Sequence, residues 1–483
     1  MGSRNKIDEG IIAIAVVASS AVLVYFGTGL HPIWWTTWLA PLPVLWFAGS
    51  EYSRAVFWIA FAAWLVGDLT WWHYIYTVLE IPILVCIQII ALAAVLFGLC
   101  VLLWRRLLLR GQFWLAAFWL PVAWTALGFI LQEFSPNSTF GNIAYSQMSV
   151  LPLIQISAIT GIWGIAFLLL LIPSATAILI HQGRRASGVA AVALACLLLT
   201  LGFGAWRLHA PMQTTGTVRA QLMTNDKKGE VYAEKDVRSL ELLQKYVSTE
   251  KSSDVDVLLI PEKIARFSEQ GAEQARGTLS ETAKSRRTYV LAGLDELRDG
   301  NRRNDAVLFA PDGRLMIDYE KHHFVPGIEI GYLTGTDYSV IQQPSGVWGV
   351  TICKDMDFPA LGRQYGKRGV GLLLVPAWDF AVDDWYHARM AILRGVESGF
   401  SIARAAKQGL LTVSDNRGRI FLAQRGSTTG LVSVEVFVPV AHANTLYARW
   451  GDWFPWFCVA GVVATLILAF RRNNSQAKSQ AAG

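Results

Sequence analysis

Long apolar stretches with very few charged residues occupy most of the first 208 residues of the chain. An α-helix needs about 20 apolar residues to cross the hydrocarbon core of a bilayer. Such stretches lie at residues 10–30, 33–50, 55–75, 80–104, 113–131, 150–181 and 188–206, and an eighth lies at 453–470. A soluble core does not need so many long uncharged segments. The sequence therefore predicts a polytopic α-helical membrane domain.

Composition separates these stretches from the rest of the chain. Charged residues make up 16% of the 483 residues, against about 25% in a typical soluble domain, which disfavours a single large soluble enzyme. The composition becomes that of an ordinary soluble domain near residues 206–211. We predict a membrane domain of about seven helices at 1–208, an extracytoplasmic domain at 209–449, and a final transmembrane helix with a polar tail at 450–483.

Lysine and arginine residues in the short loops predict the orientation of the helices, because they favour the cytoplasmic side. The loops near 31–32, 76–79 and 132–149 contain neither residue. The alternate loops and the termini carry Arg4, Lys6, Arg54, Arg105, Arg106, Arg110, Arg184, Arg185, Arg471, Arg472 and Lys478. The sequence thus predicts a multi-pass membrane protein with both termini in the cytoplasm and the 209–449 domain on the opposite side, which in the inner membrane of a bacterium is the periplasm.

Short apolar runs alternate with helical segments in the 209–449 domain. Runs at 218–223, 255–260, 289–292, 349–353 and 370–375 are of strand type, whereas 237–246 and 385–399 have helical spacing. Pro311-Asp312-Gly313 between two further runs predicts a hairpin, because proline presets the turn and glycine accepts a positive φ. Strands that alternate with helices predict a layered α/β domain.

Cys353 is the one cysteine of five that lies outside the apolar stretches, and it closes the strand-type run at 349–353. It is either a buried structural cysteine or a nucleophile at a strand end. Two other predicted strands end in Glu262 and Lys321. A thiol with a pKa of about 8.5 needs help to ionise. A carboxylate can remove its proton, and a lysine can stabilise the thiolate and then an oxyanion.

The Glu262, Lys321 and Cys353 triad resembles that of the nitrilase (carbon–nitrogen hydrolase) superfamily, whose domain is an αββα sandwich. Nearly the whole chain resembles the apolipoprotein N-acyltransferase family, a membrane-bound branch of that superfamily. The matching segments are 319–326 followed by Glu329, 376–380, 387–390 with 394–397, 141–147 and 160–164. The chain departs from the family pattern at Ile260, where the family has tryptophan, and at Lys354-Asp355, where it has Tyr-Glu.

The resemblance implies a nitrilase-type αββα sandwich beside the helical membrane domain, and a reaction in two halves. Cys353 would attack the acyl ester of a phospholipid to form a thioester, and the α-amine of a diacylglyceryl-cysteine lipoprotein would then take the acyl chain. The resemblance also implies that Glu262 acts as the base and that Lys321 stabilises the oxyanion. Glu329 would position Lys321, and Glu397 would be a supporting residue.

The partners implied by the resemblance are a phospholipid acyl donor, a lipoprotein acceptor and membrane lipids. We expect no nucleic-acid partner, and we expect the chain to be a monomer. The sequence has no zinc pattern, phosphate-binding loop or cysteine pair at metal spacing, so we expect no cofactor and no metal. Because both substrates are lipids, apolar loops should flank the site, and segments 324–332 and 378–385 are the expected ones.

Two alternatives belong to other functional classes. A membrane-anchored amidase that acts on a small amide is favoured by the residues after Cys353, which are similar to the pattern of soluble amidases. It is disfavoured by the seven predicted spans, because a single anchor would suffice. A non-catalytic transporter is disfavoured because Asp68 and Glu80 are the only acidic residues near the third and fourth spans.

Overall fold

Apolar helices form the N-terminal part of the structure. The computed structural model describes residues 6–50, 55–249 and 255–481. The helices of this part are α1 (Lys6–Gly27), α2 (Thr36–Leu39), α3 (Leu42–Gly49), α4 (Val56–Gly67), α5 (Ile83–Leu109), α6 (Phe113–Phe134), α7 (Leu151–Ile154), α8 (Ser157–Thr160), α9 (Trp163–Gln182) and α10 (Ser187–His209). Short 3₁₀ or π turns lie at Asp68–Trp71, His73–Val78, Ile143–Gln147 and Gly183–Ala186.

Four helical stretches among the described residues are long and apolar enough to cross a membrane: Glu9–Gly27, Ile83–Leu109, Phe113–Phe134 and Trp163–His209. The last stretch is 47 residues long and contains both α9 and α10. Shorter apolar helices lie at Val56–Trp71, Leu151–Thr160 and Trp453–Leu468. The protein is a multi-pass membrane protein. Its orientation stays a prediction, and Arg4 and Arg54, which contribute to it, lie outside the described residues.

Two of the spans expected from the sequence are not continuous helices. Residues 33–50 form α2 and α3, separated at Pro41, which has no N–H group and therefore cannot continue the hydrogen bonding of α2. Residues 150–181 form α7, α8 and α9. Gly161 ends α8 with a φ of +65°, and a Cβ atom there would lie 2.6 Å from the ring of Tyr447. Glycine is favoured at this break because it alone adopts that φ freely and fits beside the ring.

Two mixed β-sheets form the centre of the α/β domain. Their strands are β1 (Thr214–Asn225), β2 (Val257–Leu259), β3 (Arg266–Phe267), β4 (Tyr289–Arg298), β5 (Asn301–Phe309), β6 (Leu315–Glu320), β7 (Val340–Gln343), β8 (Gly346–Val350), β9 (Leu372–Trp378), β10 (Ser401–Lys407), β11 (Leu410–Ser414), β12 (Ile420–Arg425) and β13 (Leu431–Ala441). One sheet has the order β13-β1-β2-β4-β5-β6 with β3 beside β4, and the other has the order β12-β11-β10-β9-β8-β7. The predicted hairpin is the antiparallel pair β5 and β6.

The two sheets pack face to face, and helices cover their outer faces. The remaining helices are α11 (Asp236–Val247), α12 (Glu269–Arg286), α13 (Pro359–Lys367), α14 (Asp384–Ser398), α15 (Leu446–Trp450) and α16 (Trp453–Ala481). Alternation along β2 shows the layering, because Val257 and Leu259 pack between the sheets whereas Leu258 packs with residues of α11 and α12. Residues of α13 and α14 pack in the same way on β9 and β10 of the second sheet. This confirms the predicted αββα sandwich.

Helix α14 joins the sandwich to the helical part of the chain. Tyr386, Met390, Leu393 and Val396 of α14 are buried in the same apolar core as the N-terminal helices. The guanidinium of Arg389 donates a hydrogen bond to the carbonyl oxygen of Leu30, in the loop after α1. Apolar packing of this extent holds the α/β domain directly against the membrane helices.

Candidate active site

Glu262, Lys321 and Cys353 follow strands β2, β6 and β8 and meet where the two sheets face each other. The Nζ atom of Lys321 lies 2.8 Å from Oε1 of Glu262. Glu262 and Lys321 are each 1% exposed, and Cys353 is 8% exposed. Cys353 lies close enough that its own pKa responds to the charges of both partners. The structure thus brings together the three groups that the sequence predicts at strand ends.

Cys353 occupies a strained turn rather than the end of a strand. The sequence places it as the last residue of the strand, but β8 ends at Val350 and Cys353 begins the 3₁₀ turn Cys353–Asp357. Its φ is +39°, in the left-handed region, which a side-chain-bearing residue in a strand does not adopt. Its Sγ atom lies 3.5 Å from the carbonyl oxygen of Trp378. Strain of this kind is concentrated at functional sites.

Asp355 holds this turn against the segment that carries Lys321. Its Oδ2 atom accepts hydrogen bonds from the hydroxyl of Tyr319 at 2.7 Å and from the backbone N–H of Ile352 at 3.3 Å. Its Oδ1 atom accepts the backbone N–H of His323 at 2.9 Å. Asp355 is fully buried. One carboxylate therefore fixes the distance between the cysteine turn and the lysine segment.

Glu329 and Asn304 complete the surroundings of Lys321. The Oε2 atom of Glu329 lies 2.8 Å from Nζ of Lys321. The amide of Asn304 donates to Oε1 of Glu262 and to Oε1 of Glu329, both at 2.7 Å. Sequence reasoning identified Glu329 but missed Asn304. No signal in the sequence points to Asn304, which lies on β5, where its carbonyl oxygen accepts a hydrogen bond from the backbone N–H of Lys321 at 3.0 Å.

Burial and neighbouring charges set the protonation states of this cluster. Burial and the negative charge of Glu262 raise the pKa of Cys353 well above its usual value, although Lys321 opposes them. Burial alone would lower the pKa of Lys321, but the carboxylates of Glu262 and Glu329 hold it well above its usual value. In the resting site the thiol of Cys353 is therefore protonated and Lys321 carries an ammonium group. Such a thiol needs a base that removes its proton during attack.

A second buried ion pair lies near Cys353. The guanidinium of Arg404 binds both carboxylate oxygens of Asp379, at 3.0 and 2.5 Å. Burial raises the pKa of Asp379 to about 6, and Arg404 limits the rise. Both charges act on the pKa of Cys353, the carboxylate raising it and the guanidinium lowering it. Sequence reasoning included Asp379 only within the segments 376–380 and 378–385 and did not identify its partner on β10.

The residue after Cys353 contacts the helical part of the chain. The Nζ atom of Lys354 lies 2.8 Å from Oδ1 of Asn137, in the loop after α6, and 3.2 Å from Oδ2 of Asp357. The hydroxyl of Thr139 in the same loop donates to the carbonyl oxygen of Asp357 at 2.8 Å. The departure from the family pattern at Lys354 thus links the cysteine turn to the membrane region.

His387 of α14 extends the same junction. Its ring lies between two carboxylates, 3.1 Å from Asp383 and 3.6 Å from Asp357. Burial would lower the pKa of His387, but these carboxylates raise it to about 10. Asp383 also accepts a hydrogen bond from the hydroxyl of Tyr74 at 2.6 Å. The junction is therefore held by buried charge as well as by apolar packing.

Glu397 lies at this junction and not beside Lys321. Its Oε1 atom accepts the backbone N–H of Ile162 at 2.7 Å, and its Oε2 atom lies 2.6 Å from Nη1 of Arg394. Burial raises the pKa of Glu397 to about 7, and Arg394 limits the rise. Its contacts support the docking of α14 on the helix that begins at Trp163. The structure gives Glu397 a place in the interdomain contact.

Large apolar side chains are exposed in the two segments expected to flank the site. Ile328 and Ile330 in the segment 324–332 are 51% and 78% exposed, and Val382 in the segment 378–385 is 39% exposed. Apolar side chains are thus exposed in both segments, as the prediction of apolar loops requires. Their expected mobility stays a prediction.

Comparisons with known proteins agree with these features. The model of the apolipoprotein N-acyltransferase N-terminal domain matches residues 20–175, and the carbon-nitrogen hydrolase model matches residues 238–430. An apolipoprotein N-acyltransferase of Geobacter metallireducens is 27% identical over 92% of this chain and 92% of its own length. One of Rhodopseudomonas palustris is 27% identical over 88% of this chain and 85% of its own length.

A solved amidase from Nesterenkonia sp. has 19% identity and a TM-score of 0.40, and the match covers 48% of this chain and 94% of that chain. The full-length relatives cover the helical part and the sandwich together, in the same chain order. The two matched models cover the same two parts separately. The chain belongs to the apolipoprotein N-acyltransferase family, within the carbon-nitrogen hydrolase superfamily.

Proposed function

We propose that this chain moves an acyl chain from a phospholipid to the α-amine of a diacylglyceryl-cysteine lipoprotein, through a thioester on Cys353. Family membership supports the reaction class. One observation carries the assignment of roles: the ammonium of Lys321 lies 2.8 Å from Glu262 and 2.8 Å from Glu329, in the buried cluster that also acts on Cys353. This arrangement supports Glu262 as the base, Lys321 as the cation and Cys353 as the nucleophile for one reacting carbonyl group.

In the first half of the reaction, Sγ of Cys353 attacks the ester carbonyl carbon of the phospholipid while Glu262 takes the thiol proton. The negative charge that develops on the carbonyl oxygen is stabilised by the ammonium of Lys321, which Glu329 holds in place. When the tetrahedral intermediate collapses, the C–O bond breaks. Glu262 gives its proton to the leaving oxygen, so that a lysophospholipid departs and the thioester remains.

In the second half, the neutral α-amine of the lipoprotein attacks the thioester carbon. Glu262 takes one proton from the attacking nitrogen and returns it to Sγ as the C–S bond breaks. The products are an amide and the original thiol, so atoms and charge balance over the cycle. The buried setting suits this chemistry because it excludes the water that would hydrolyse the thioester.

The helical part of the chain supports a lipid substrate. Buried contacts from the loop after α6 hold the turn of Cys353, and exposed Ile328 and Ile330 lie on the segment after Lys321. A site that takes lipids needs such a position beside the bilayer. We propose that this position is on the periplasmic face of the inner membrane.

A small-amide hydrolase is the second candidate, and the residues after Cys353 are what favoured it. The contact of Lys354 with Asn137 offers a different reason for that departure, because the side chain serves the junction between domains. The multi-pass helical domain also disfavours this candidate, since a small soluble amide does not require it.

The test uses the purified full-length protein in detergent micelles with a phospholipid that carries a labelled acyl chain. We expect a hydroxylamine-sensitive label on Cys353, which a diacylglyceryl-cysteine peptide then discharges as an amide. Cys353→Ala should accept no label, and Cys86→Ala serves as a matched control because this thiol lies in a membrane helix. Turnover of small amides without acylation by phospholipid would reverse the order of the two candidates.

A further inference from the structure

A second buried lysine lies in the cluster, directly after Glu262 in the chain. Lys263 is 7% exposed, and its Nζ atom lies 3.0 Å from Oε1 of Glu329. Its φ is +43°, in the left-handed region. Such a conformation is strained for a residue with a side chain. A strained backbone that delivers a buried ammonium group to a carboxylate of the site indicates a function for that group.

Glu329 is the carboxylate that the two lysines share. Its Oε2 atom faces Lys321 and accepts the backbone N–H of Val325 at 2.9 Å. Its Oε1 atom faces Lys263 and accepts the amide of Asn304. The two lysines hold the pKa of Glu329 at about 2, although burial opposes them. The charges therefore alternate in the order Glu262, Lys321, Glu329, Lys263, and two carboxylates balance two ammonium groups.

Other charged groups near Lys263 do not replace Glu329 as its partner. Asp295 is paired with Arg302 at 2.9 Å and accepts the hydroxyl of Tyr332 at 2.9 Å. The Nζ atom of Lys407 donates to the carbonyl oxygen of Lys263 at 2.6 Å. Burial lowers the pKa of Lys407 well below its usual value. Aromatic rings cover the rest of the Lys263 ammonium, with that of Tyr332 at 5.1 Å.

We propose that Lys263 is a positioning residue that keeps the buried cluster electrically balanced and thereby makes it easier for Cys353 to give up its proton. This inference rests on the proposed role of Cys353 as the nucleophile. Without Lys263 the cluster carries one more negative charge, and like charge opposes the formation of a thiolate. Glu329 would also interact with Lys321 alone and draw the ammonium away from Glu262 and from the developing oxyanion.

The test follows the ionisation of Cys353 as a function of pH in the full-length protein. Iodoacetamide alkylation of Cys353, resolved by peptide mass spectrometry, is measured across a pH series, and acylation by a small activated ester is measured in parallel. For Lys263→Met we expect the rising limb of both profiles to move up by about one pH unit, which is about tenfold slower reaction at neutral pH. Lys263→Arg keeps the charge and should restore the original limb.

Two further variants keep the proposal falsifiable. Lys263→Gln retains a hydrogen-bond donor without charge, and it should shift the limb even if Lys263→Met does not fold. Lys284→Met removes an exposed lysine on α12, which pairs with Glu281, and should shift nothing. An unshifted limb in both neutral variants, or an equal shift in Lys284→Met, would overturn the role of Lys263. If the unsubstituted protein is not acylated at all, the proposed function fails, whereas the alkylation profile still decides the role of Lys263.

Discussion

Glu329 offers a direct measure of the buried charge cluster. The variant Glu329→Gln keeps the shape of the side chain and removes the negative charge that Lys321 and Lys263 share. These two lysines, against the effect of burial, lower the pKa of Glu329 from 4.5 to about 2. Each pKa unit is about 1.4 kcal/mol, so the interaction contributes about 3 kcal/mol to the free energy of unfolding.

The pH dependence gives this prediction a definite sign. Because the pKa of Glu329 is lower in the folded protein, its stabilisation is present above a pH of about 4.5 and is lost as the pH falls toward about 2. At neutral pH we expect Glu329→Gln to unfold about 6–12 °C below the original protein, which is the shift that about 3 kcal/mol causes in a domain of this size. In acid the two unfolding temperatures should converge.

The assay is thermal unfolding of the detergent-solubilised full chain, followed by tryptophan fluorescence over a pH series. Glu281→Gln is the matched control, since Glu281 is an exposed residue of α12 whose ion pair with Lys284 should contribute less than about 1 kcal/mol. A gap between Glu329→Gln and the original protein that stays constant into acid would refute the reasoning. It would mean that shape or hydrogen bonding, and not charge, stabilises the cluster.

Three other substitutions test the junction and the second ion pair. Arg404→Met leaves the buried carboxylate of Asp379 unpaired and should cost about 3–5 kcal/mol in unfolding experiments; adding Asp379→Asn should recover most of the loss. His387→Gln should lower the free energy of unfolding most at low and neutral pH. The pKa of His387 is raised to about 10 in the folded protein, so the stabilisation that its charge provides is lost as the pH rises toward that value. An equal loss of stability at every pH would contradict this. Gly161→Ala places a Cβ atom 2.6 Å from the ring of Tyr447 at a φ of +65° and should lower the unfolding temperature by several degrees, equivalent to about 1–3 kcal/mol; an unchanged temperature would show that the break tolerates a side chain.

The secondary structure of the α/β domain followed closely from local patterns. The run at 289–292 begins β4, the Pro311-Asp312-Gly313 turn joins β5 to β6, and the helical spacing at 385–399 corresponds to α14. These elements are short and have the period of their own class, so neighbouring residues suffice to identify them. The helical part was less predictable: hydropathy gives the length of an apolar stretch but does not show that Pro41 or Gly161 breaks it.

The residues of the site also fall into two groups, those that the sequence predicts and those that only the structure reveals. The side-chain chemistry of Glu262, Lys321 and Cys353 and their places after predicted strands point to a single site. Asn304 has neither signal, and only the antiparallel pairing of β5 with β6 places it between two carboxylates. Lys263 is adjacent to Glu262 in sequence, yet its role depends on Glu329, which is 66 residues away.

Apolar runs and the order of reactive residues, both readable along the chain, thus determined the membrane character, a layered α/β domain and the choice of triad, and the αββα sandwich was implied by the resemblance to the nitrilase superfamily. The tertiary structure alone decided that Glu397 and Lys354 serve the junction between domains, that Arg404 pairs with Asp379, and that Cys353 turns out of its strand. The physical reason is that hydropathy and periodicity are properties of neighbouring residues. The partner of a buried charge comes from a distant segment, and folding determines which one.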